Sequence, residues 1–289
     1  MIKKPFNSLN DYFVRYFFTD KGGEKVLLDF INAVMISANM KTFKSVEILN
    51  PFNLKKNYSD KETIVDVKCI TKNGTIVIIE VQLSGNSRFP ERILYYWSTN
   101  YSKLLKKGEG YEDLTPVISI NLLNFNLNKK DSNVHSCYMI YDTKNKRLLT
   151  DHLQIHIIEL KKFNFKNNNL SKDLNYWLGF FTTKNMEEYM SEIVKEKPIM
   201  EEAHKRYNNF IRSRLMMSEY EKKEIYQYDK QIMLKDERRE GIKEGMKKGK
   251  LEGIKERNYS IAKNLKKAGS DIEFISEITG LTIEEINKL

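Results

Sequence analysis

The chain has 289 residues, of which 40% are hydrophobic and 30% are charged, and its formal net charge is +10 at pH 7. This balance excludes a disordered or fibrous chain, because so many apolar residues can form a sizeable core. The positive charge favours an anionic partner, nucleic acid first, although a generally lysine-rich composition gives the same value.

The first two-thirds of the chain predict helices interleaved with strands. Residues 8–38 place apolar side chains at three- and four-residue spacing, broken at Gly22 and Gly23, which predicts two helices. Residues 43–83 predict strands, and residues 88–107 return to a helical pattern. Further strands are predicted at 115–123, 134–141 and 153–160, before a mostly helical stretch at 173–225. Such interleaving indicates a mixed α/β domain.

The composition changes after residue 227, where a charged segment with regularly spaced glycines begins. Glycine recurs at every fourth position from Gly241 to Gly253, and each one weakens a helix by about 1 kcal/mol relative to alanine. This segment therefore predicts a marginal helical linker. We divide the chain into a main α/β domain at 1–227, a charged glycine-repeat linker at 228–257 and a small helical module at 258–289.

The C-terminal module predicts three short helices joined by glycine-containing turns. Ser270 and Thr282 are candidate N-caps, each followed three residues later by a glutamate that completes a capping box. The arrangement fits either a helix-turn-helix or a helical packing or oligomerisation module, and its last helix carries few basic residues for reading a DNA groove. The sequence thus allows a homo-oligomer and identifies no protein partner.

The two cysteines, Cys69 and Cys137, fit neither a metal motif nor a disulfide framework. Each lies in an apolar run, where a buried free thiol is usual. We therefore expect a reducing compartment, the cytoplasm. The apolar runs are of strand length, so we expect no membrane span.

Two acids and an amide interrupt the most apolar predicted strands. Asp66 lies inside the run 64–70, and Glu80 and Gln82 lie inside the run 75–83, two residues apart and hence on one face of their strand. An acidic side chain in a buried strand is costly unless it is paired or binds a metal ion.

The turn between these two strands decides whether the acids meet. A two-residue turn at Asn73 and Gly74 pairs residue 66 with residue 81, which turns Asp66 away from Glu80. A three-residue loop with Gly74 in the left-handed conformation pairs residue 66 with residue 80 instead. We predict the three-residue loop or an equivalent bulge, which places Asp66 and Glu80 side by side.

Two carboxylates suit Mg²⁺ or Mn²⁺, and the backbone carbonyl of Val81 is a candidate third ligand. Such an ion orients water and stabilises charge on a phosphate, and Gln82 can hydrogen-bond the attacking water or a phosphate oxygen. The alternative is structural: Asp66 pairs with a nearby strand lysine, and Glu80 is an edge-strand charge that deters aggregation. The spacing alone leaves both interpretations open.

The ordered set of motifs resembles a known family. The resemblance is to the Rpn family of recombination-promoting nucleases, also described as transposases, in the PD-(D/E)XK nuclease superfamily. It implies an α/β, restriction-endonuclease-like fold, a mixed β-sheet core flanked by helices, here with a C-terminal all-helical extension. The matching stretches are 10–12 with Arg15 and Phe18, 60–66, 79–82, 92–96, 111 with 116–118, 156–160 and 278–281.

The resemblance implies Mg²⁺-dependent cleavage of DNA by a nuclease domain at 1–227. It makes Asp66 and Glu80 the metal ligands, and it places Gln82 where the superfamily name has a lysine. That departure removes the usual positive charge near the transition state, although glutamine is ordinary at this position within the narrower family. Asp11 lies on the first helix, where related nucleases carry another acid; its alternative role is a helix-start charge that favours the dipole.

Four further residues are candidates for contact with DNA. Arg15 stands where the family leads us to expect a lysine, and it can contact phosphate. Arg88, Arg92 and Tyr96 recur at four-residue steps and share a helix face, which would grip phosphates if it faced the site and would otherwise be an ordinary solvated face. The histidines at 135, 152, 156 and 204 complete no metal site in the sequence, and we interpret them as structural.

Three functional hypotheses remain at this point. The first is a Mg²⁺-dependent DNA endonuclease associated with recombination or mobile elements. The second is a DNA-binding or oligomerisation protein with a degenerate nuclease centre, which the missing lysine keeps open. The third is an accessory protein of a mobile element without strand-transfer ability, since the spacing shows no clear three-acid transposase pattern.

Overall fold

The computed structural model describes residues 6–50, 65–85 and 88–289. Residues 60 and 61 of the family resemblance, and the predicted strand start at Ile64, lie outside these described residues. Helix α1 spans Asp11–Thr19 and helix α2 spans Glu24–Ser37. Asn10 caps α1 by accepting the backbone N–H groups of Tyr12 and Phe13. The two helices predicted on either side of Gly22 and Gly23 are therefore confirmed.

Strands in the described residues form one mixed six-stranded sheet in the order β1-β2-β3-β4-β6-β5. The neighbours β3, β4 and β6 run parallel at its centre, whereas β1, β2 and β5 pair antiparallel at its sides. This topology, with helices on both faces, confirms the predicted fold class. The strand bounds are β1 Val46–Ile48, β2 Val67–Thr71, β3 Ile76–Gln82, β4 Val117–Leu123, β5 His135–Tyr141 and β6 Leu148–Glu159.

The two faces of the sheet are covered by different helices. Helix α3 lies on one face, and α1, α2, α4 and α6 contribute to the main core on the other. Val77 and Ile79 of β3 join the main core, whereas Ile76 and Ile78 pack with residues of α3. Because side chains alternate along a strand, Glu80 lies on the α3 face. The helix bounds are α3 Phe89–Ser102, α4 Lys172–Thr182, α5 Met186–Ile193 and α6 Ile199–Arg212.

A buried arginine fixes the first helix pair to α6. The Arg206 guanidinium donates to the backbone carbonyls of Tyr16, Phe17, Asp20 and Lys21 at 2.7–3.2 Å. These carbonyls lie at the C-terminal end of α1 and in the turn that follows, where backbone donors are few. Those of Tyr16 and Asp20 also accept the N–H groups of Asp20 and Gly23. Arg206 therefore holds α1 in place, and with it the Asp11 and Arg15 side chains.

The C-terminal part of the chain forms a second compact unit, which begins at Glu224. Helix α7 is continuous from Arg214 to Lys267, 54 residues, so the glycine repeat lies inside one helix. The prediction of a separate short helix before Gly269 is wrong, because that segment is the end of α7. The division at residues 227 and 257 stays a prediction.

Two short helices complete this unit, α8 at Ile272–Thr279 and α9 at Ile283–Asn287. They enclose a small core with the end of α7, formed by Ala262, Ile275, Leu281 and Ile286. The capping box at Thr282 is confirmed, but the predicted cap at Ser270 is wrong, because the Asp271 carboxylate caps α8. Among the described residues, no helix has the length and apolar character needed to cross a membrane.

We expect Arg206→Met to lower the free energy of unfolding by about 2–4 kcal/mol, because it leaves the buried Phe17 carbonyl without its donor and removes the hydrogen bonds to three neighbouring carbonyls. Urea unfolding followed by circular dichroism measures this change. Arg212→Met on the same helix is the matched control, since Arg212 is exposed, and it should change stability by less than about 0.5 kcal/mol. Equal effects of the two substitutions would contradict the structural role assigned to Arg206.

Candidate active site

A three-residue loop joins β2 and β3. The Thr71 N–H donates to the Thr75 carbonyl at 2.9 Å, and the Gly74 N–H donates to the Thr71 carbonyl at 3.0 Å. Gly74 has φ of +80°, the left-handed conformation that this loop requires. Val67 pairs with Ile79, and Asp66 follows just outside the strand, next to the position of Glu80 in that register. The predicted register is confirmed.

Asp66 lies directly before β2, and its carboxylate contacts the backbone of β3. Its Oδ2 accepts the backbone N–H of Val81 at 2.7 Å. Burial raises the pKa of Asp66 well above its usual value, and the negative charges of Glu80 and Asp11 raise it further. The Val81 N–H and the positive charge of Arg15 oppose this rise. Asp66 is therefore held in one orientation beside a second acid.

Glu80 is buried, with 7% of its surface exposed. Its Oε2 accepts a hydrogen bond from Gln82 Nε2 at 3.0 Å, whereas its buried Oε1 has no hydrogen-bond partner among the described residues. Burial raises the pKa of Glu80 to about 7, against the opposing effects of the Arg92 charge and the Gln82 hydrogen bond. A buried acceptor without a donor is costly, and a bound cation would remove that cost.

The donor set fits a hard divalent ion. Within the described ranges, no three His, Cys, Asp or Glu side chains gather as a metal centre, so the side chains that could hold the ion are the two carboxylates. Mg²⁺ is commonly bound by one or two carboxylates, with water and substrate phosphates completing the shell. Mutual repulsion between the acids and the unpartnered Glu80 oxygen are both features that a cation relieves.

Gln82 lies at the end of β3, where its amide group is engaged with Glu80. Gln82 therefore orients the Glu80 carboxylate. As a neutral amide, it does not provide the positive charge that a lysine would have at this position. A positive charge that acts on Glu80 comes from α3, because Arg92 opposes the rise in the pKa of Glu80. The Arg92 guanidinium lies 5.3 Å from the ring centroid of Phe89 and 5.8 Å from that of Tyr96, which restricts its position.

Arg88 differs from the other predicted DNA-contacting residues. It occupies the N-cap position of α3, one residue before the helix, and it forms an exposed ion pair with Glu91 at 3.2 Å. Of the predicted face, Arg92 and Tyr96 therefore lie within the helix and Arg88 lies at its start. All three remain on the element that covers the Glu80 face of the sheet.

Helix α1 contributes two charges to the surroundings of Asp66. Arg15 is buried, and both Arg15 and Asp11 shift the pKa of Asp66. Asp11 is half-buried, and its Oδ2 lies 3.6 Å from Lys223 Nζ. The structure thus brings Asp11 and Arg15 into electrostatic range of Asp66, and Asp11 also has an ion-pair partner that the sequence did not suggest.

Sequence reasoning missed a polar pair in β4. Asn121 pairs with Glu80 across the parallel strands, and it is buried. Its Nδ2 donates to Ser119 Oγ at 3.0 Å and to the His156 carbonyl at 3.2 Å. A signal was present, because Ser119 and Asn121 are the two polar residues of an otherwise apolar run, with the same spacing as Glu80 and Gln82.

The histidines do not join this site in the described structure. His135 Nε2 lies 3.0 Å from His156 Nδ1, and burial lowers the pKa of these imidazoles to about 4 and about 3, respectively. His152 instead contacts the hydroxyl of Tyr101 at 2.9 Å. The two histidines of β6 therefore do not form a ligand pair.

Comparison with models of known protein families gives a match. The family model described as PD-(D/E)XK nuclease family transposase matches residues 8–237, a range that contains all of the candidate site residues named above. No curated protein and no solved structure matches the chain significantly.

We expect Glu80→Gln to stabilise the metal-free chain at pH 8 by an amount on the order of 2 kcal/mol, and to have little effect at pH 5. The pKa of Glu80 is raised to about 7 in the fold, so the folded state holds this proton more tightly than the unfolded state. Ionisation therefore costs stability as pH rises from about 4.5 through 7. The glutamine of this variant cannot ionise, and its amide oxygen can still accept the Gln82 hydrogen bond.

Urea unfolding in EDTA at the two pH values measures this difference. Glu47→Gln, at an exposed position of β1, is the control and should show no comparable gain. A gain of the same size at pH 5 and pH 8 would contradict the burial of an ionisable Glu80.

Proposed function

From the premise that the chain belongs to the PD-(D/E)XK nuclease family transposases, we propose that it is a metal-dependent endonuclease that hydrolyses DNA phosphodiester bonds. The observation that carries the proposal is the Asp66–Glu80 pair, two neighbouring carboxylates at the β2–β3 hairpin with a buried Glu80 oxygen that has no described donor. Membership of the narrower Rpn family, association with recombination or mobile elements, and a cytoplasmic location are parts of the same proposal.

In this proposal Asp66, Glu80 and the backbone carbonyl of Val81 hold one Mg²⁺, or Mn²⁺ in its place. When bound, such an ion supplies an activated water and neutralises charge on the phosphate. The Val81 N–H orients Asp66, and the Gln82 amide orients Glu80. These two hydrogen bonds hold the two carboxylates in place before the metal ion and the substrate bind. Less conformational entropy is therefore lost when the site assembles around the substrate.

The arginines take the electrostatic role that a lysine has elsewhere in the superfamily. Arg92 on α3 and Arg15 on α1 approach the acids from different helices, and a guanidinium can bind two phosphate oxygens at once. Arg88 and Tyr96 extend the contact with the DNA backbone along α3. Asp11, held by Lys223, is a further acid of the site and adds negative charge near Asp66.

A second candidate function is DNA binding without cleavage of the strand. Gln82 occupies the lysine position and its amide is engaged with Glu80, which favours a binding protein with a degenerate centre if the arginines do not compensate. Under this alternative the carboxylate pair would contribute nothing to strand cleavage.

The deciding experiment is cleavage of supercoiled plasmid with Mg²⁺ or Mn²⁺. We expect metal-dependent nicking or linearisation by the wild-type chain, and a loss on the order of 10³-fold in Asp66→Asn and Glu80→Gln, because each change removes a metal-binding charge. Glu47→Gln should cleave as wild type does.

Binding of the same plasmid, followed by gel shift, separates the two functions. Variants that bind DNA but no longer cut it support the endonuclease. If wild type and both variants bind equally and none of them cuts, the degenerate-centre function replaces the one proposed.

A further inference from the structure

An apolar pocket of about 230 Å³ opens on the α3 face of the sheet. Leu94 and Tyr138 at its rim are each 49% exposed, so the pocket can be reached from solvent. The pairing of β5 with β6 shifts register directly after Tyr138. The lining includes Pro90, Ile93 and Leu94 from α3, Tyr138 from β5, and Ile155 and Ile157 from β6.

The pocket lies on the same sheet face as the carboxylate pair. Glu80 pairs with Asn121, and Asn121 pairs with Ile157, so the three residues form a row across β3, β4 and β6. Adjacent strands are about 4.8 Å apart, which places the Ile157 backbone about 10 Å from that of Glu80. A ligand that reached both positions would therefore lie across the sheet beneath α3.

Neighbouring residues of α3 lie close to Glu80 and to the pocket. Arg92 acts on the charge of Glu80, whereas the next two residues, Ile93 and Leu94, line the pocket. Arg88 at the start of the helix has an exposed side chain. Arg88 and Arg92 thus lie beside an apolar cavity. This arrangement suits a ligand that has an apolar, planar group attached to an anionic backbone.

An unpaired nucleobase of a DNA strand has this chemistry. Pockets for drug-sized molecules begin at about 300 Å³, so this smaller cavity suits a single ring system. Each base presents a π-face that stacks on an aromatic side chain, and Tyr138 offers one at the rim. A base inside a duplex cannot reach such a pocket without leaving the stack.

We infer that the pocket receives one unpaired base of the DNA substrate, stacked on Tyr138, while Arg88 and Arg92 hold adjacent phosphates. The inference rests on the proposed function, because it names the form of DNA used by that same site: single-stranded or locally unpaired DNA in preference to a continuous duplex. The lining offers few hydrogen-bonding groups, so discrimination among the bases is weak.

Fluorescence anisotropy of the full chain in EDTA tests the inference without requiring cleavage. The probes are a labelled thymidine oligonucleotide, an abasic oligonucleotide with the same number of phosphates, and a duplex of the same length. We expect the wild-type chain to bind the thymidine strand about tenfold more tightly than the abasic strand. Tyr138→Ala should remove this difference and leave the affinity for the abasic strand unchanged.

Tyr141→Ala is the matched control, since Tyr141 is 48% exposed on the same strand but does not line the pocket. Leu94→Glu is a second test. A carboxylate at the rim of the pocket should repel the DNA and lower the affinity of the chain for the thymidine oligonucleotide by about tenfold or more. Base-dependent binding that survives both Tyr138→Ala and Leu94→Glu overturns the inference. So does a wild-type chain that binds the thymidine and abasic strands equally.

Sedimentation of the same variants identifies a different occupant. If Leu94→Glu converts a wild-type dimer to a monomer and leaves base-dependent binding intact, the pocket is a protein interface and the inference is wrong. Failure of the proposed function gives a distinct pattern: no metal-dependent cleavage of plasmid, with base-dependent binding still lost in Tyr138→Ala.

Discussion

The repulsion between Asp66 and Glu80 is the constraint on which the rest of the site depends. The loop at Gly74 fixes the register that brings Asp66 next to Glu80, and burial raises the pKa of each acid. Two such groups are stable together only with a shared proton or a cation. The hydrogen bonds from Val81 and Gln82 fix their orientation without supplying charge, so they leave the need for a cation in place.

The surrounding fold brings positive charge to this pair from two directions. Arg206 fixes the C-terminal end of α1, and α1 carries Arg15 toward Asp66. Helix α3 crosses the opposite face of the sheet with Arg92, whose guanidinium contacts the rings of Phe89 and Tyr96. A chain with glutamine at the expected lysine position therefore still surrounds its acids with cations, but it places them on helices and not on the catalytic strand.

Local chemistry predicted much of this arrangement. The period-two pattern predicted the strands, and the left-handed preference of Gly74 predicted the loop register that sets Asp66 opposite Glu80. Asn121 was missed because its place beside Glu80 depends on parallel pairing across 41 residues of chain, which no local pattern encodes. The continuity of α7 was missed because the prediction considered only the cost of glycine in a helix. In the structure, Tyr220 near the start of α7 and Ala262 near its end each pack in a hydrophobic core, and this packing stabilises the helix. Ser270 and Asp271 are equally good caps by residue type, and only the start of α8 distinguishes them.

The measurement that tests the central claim most directly is a calorimetric titration of Mn²⁺ into the metal-free chain at pH 8, for wild type and Asp66→Asn. The account predicts saturable binding to wild type and its loss in the variant, because the removed charge belongs to one of the two carboxylates that hold the ion. Equal binding by both chains would contradict it. So would the absence of binding to wild type when a DNA oligonucleotide is also present to supply phosphate oxygens.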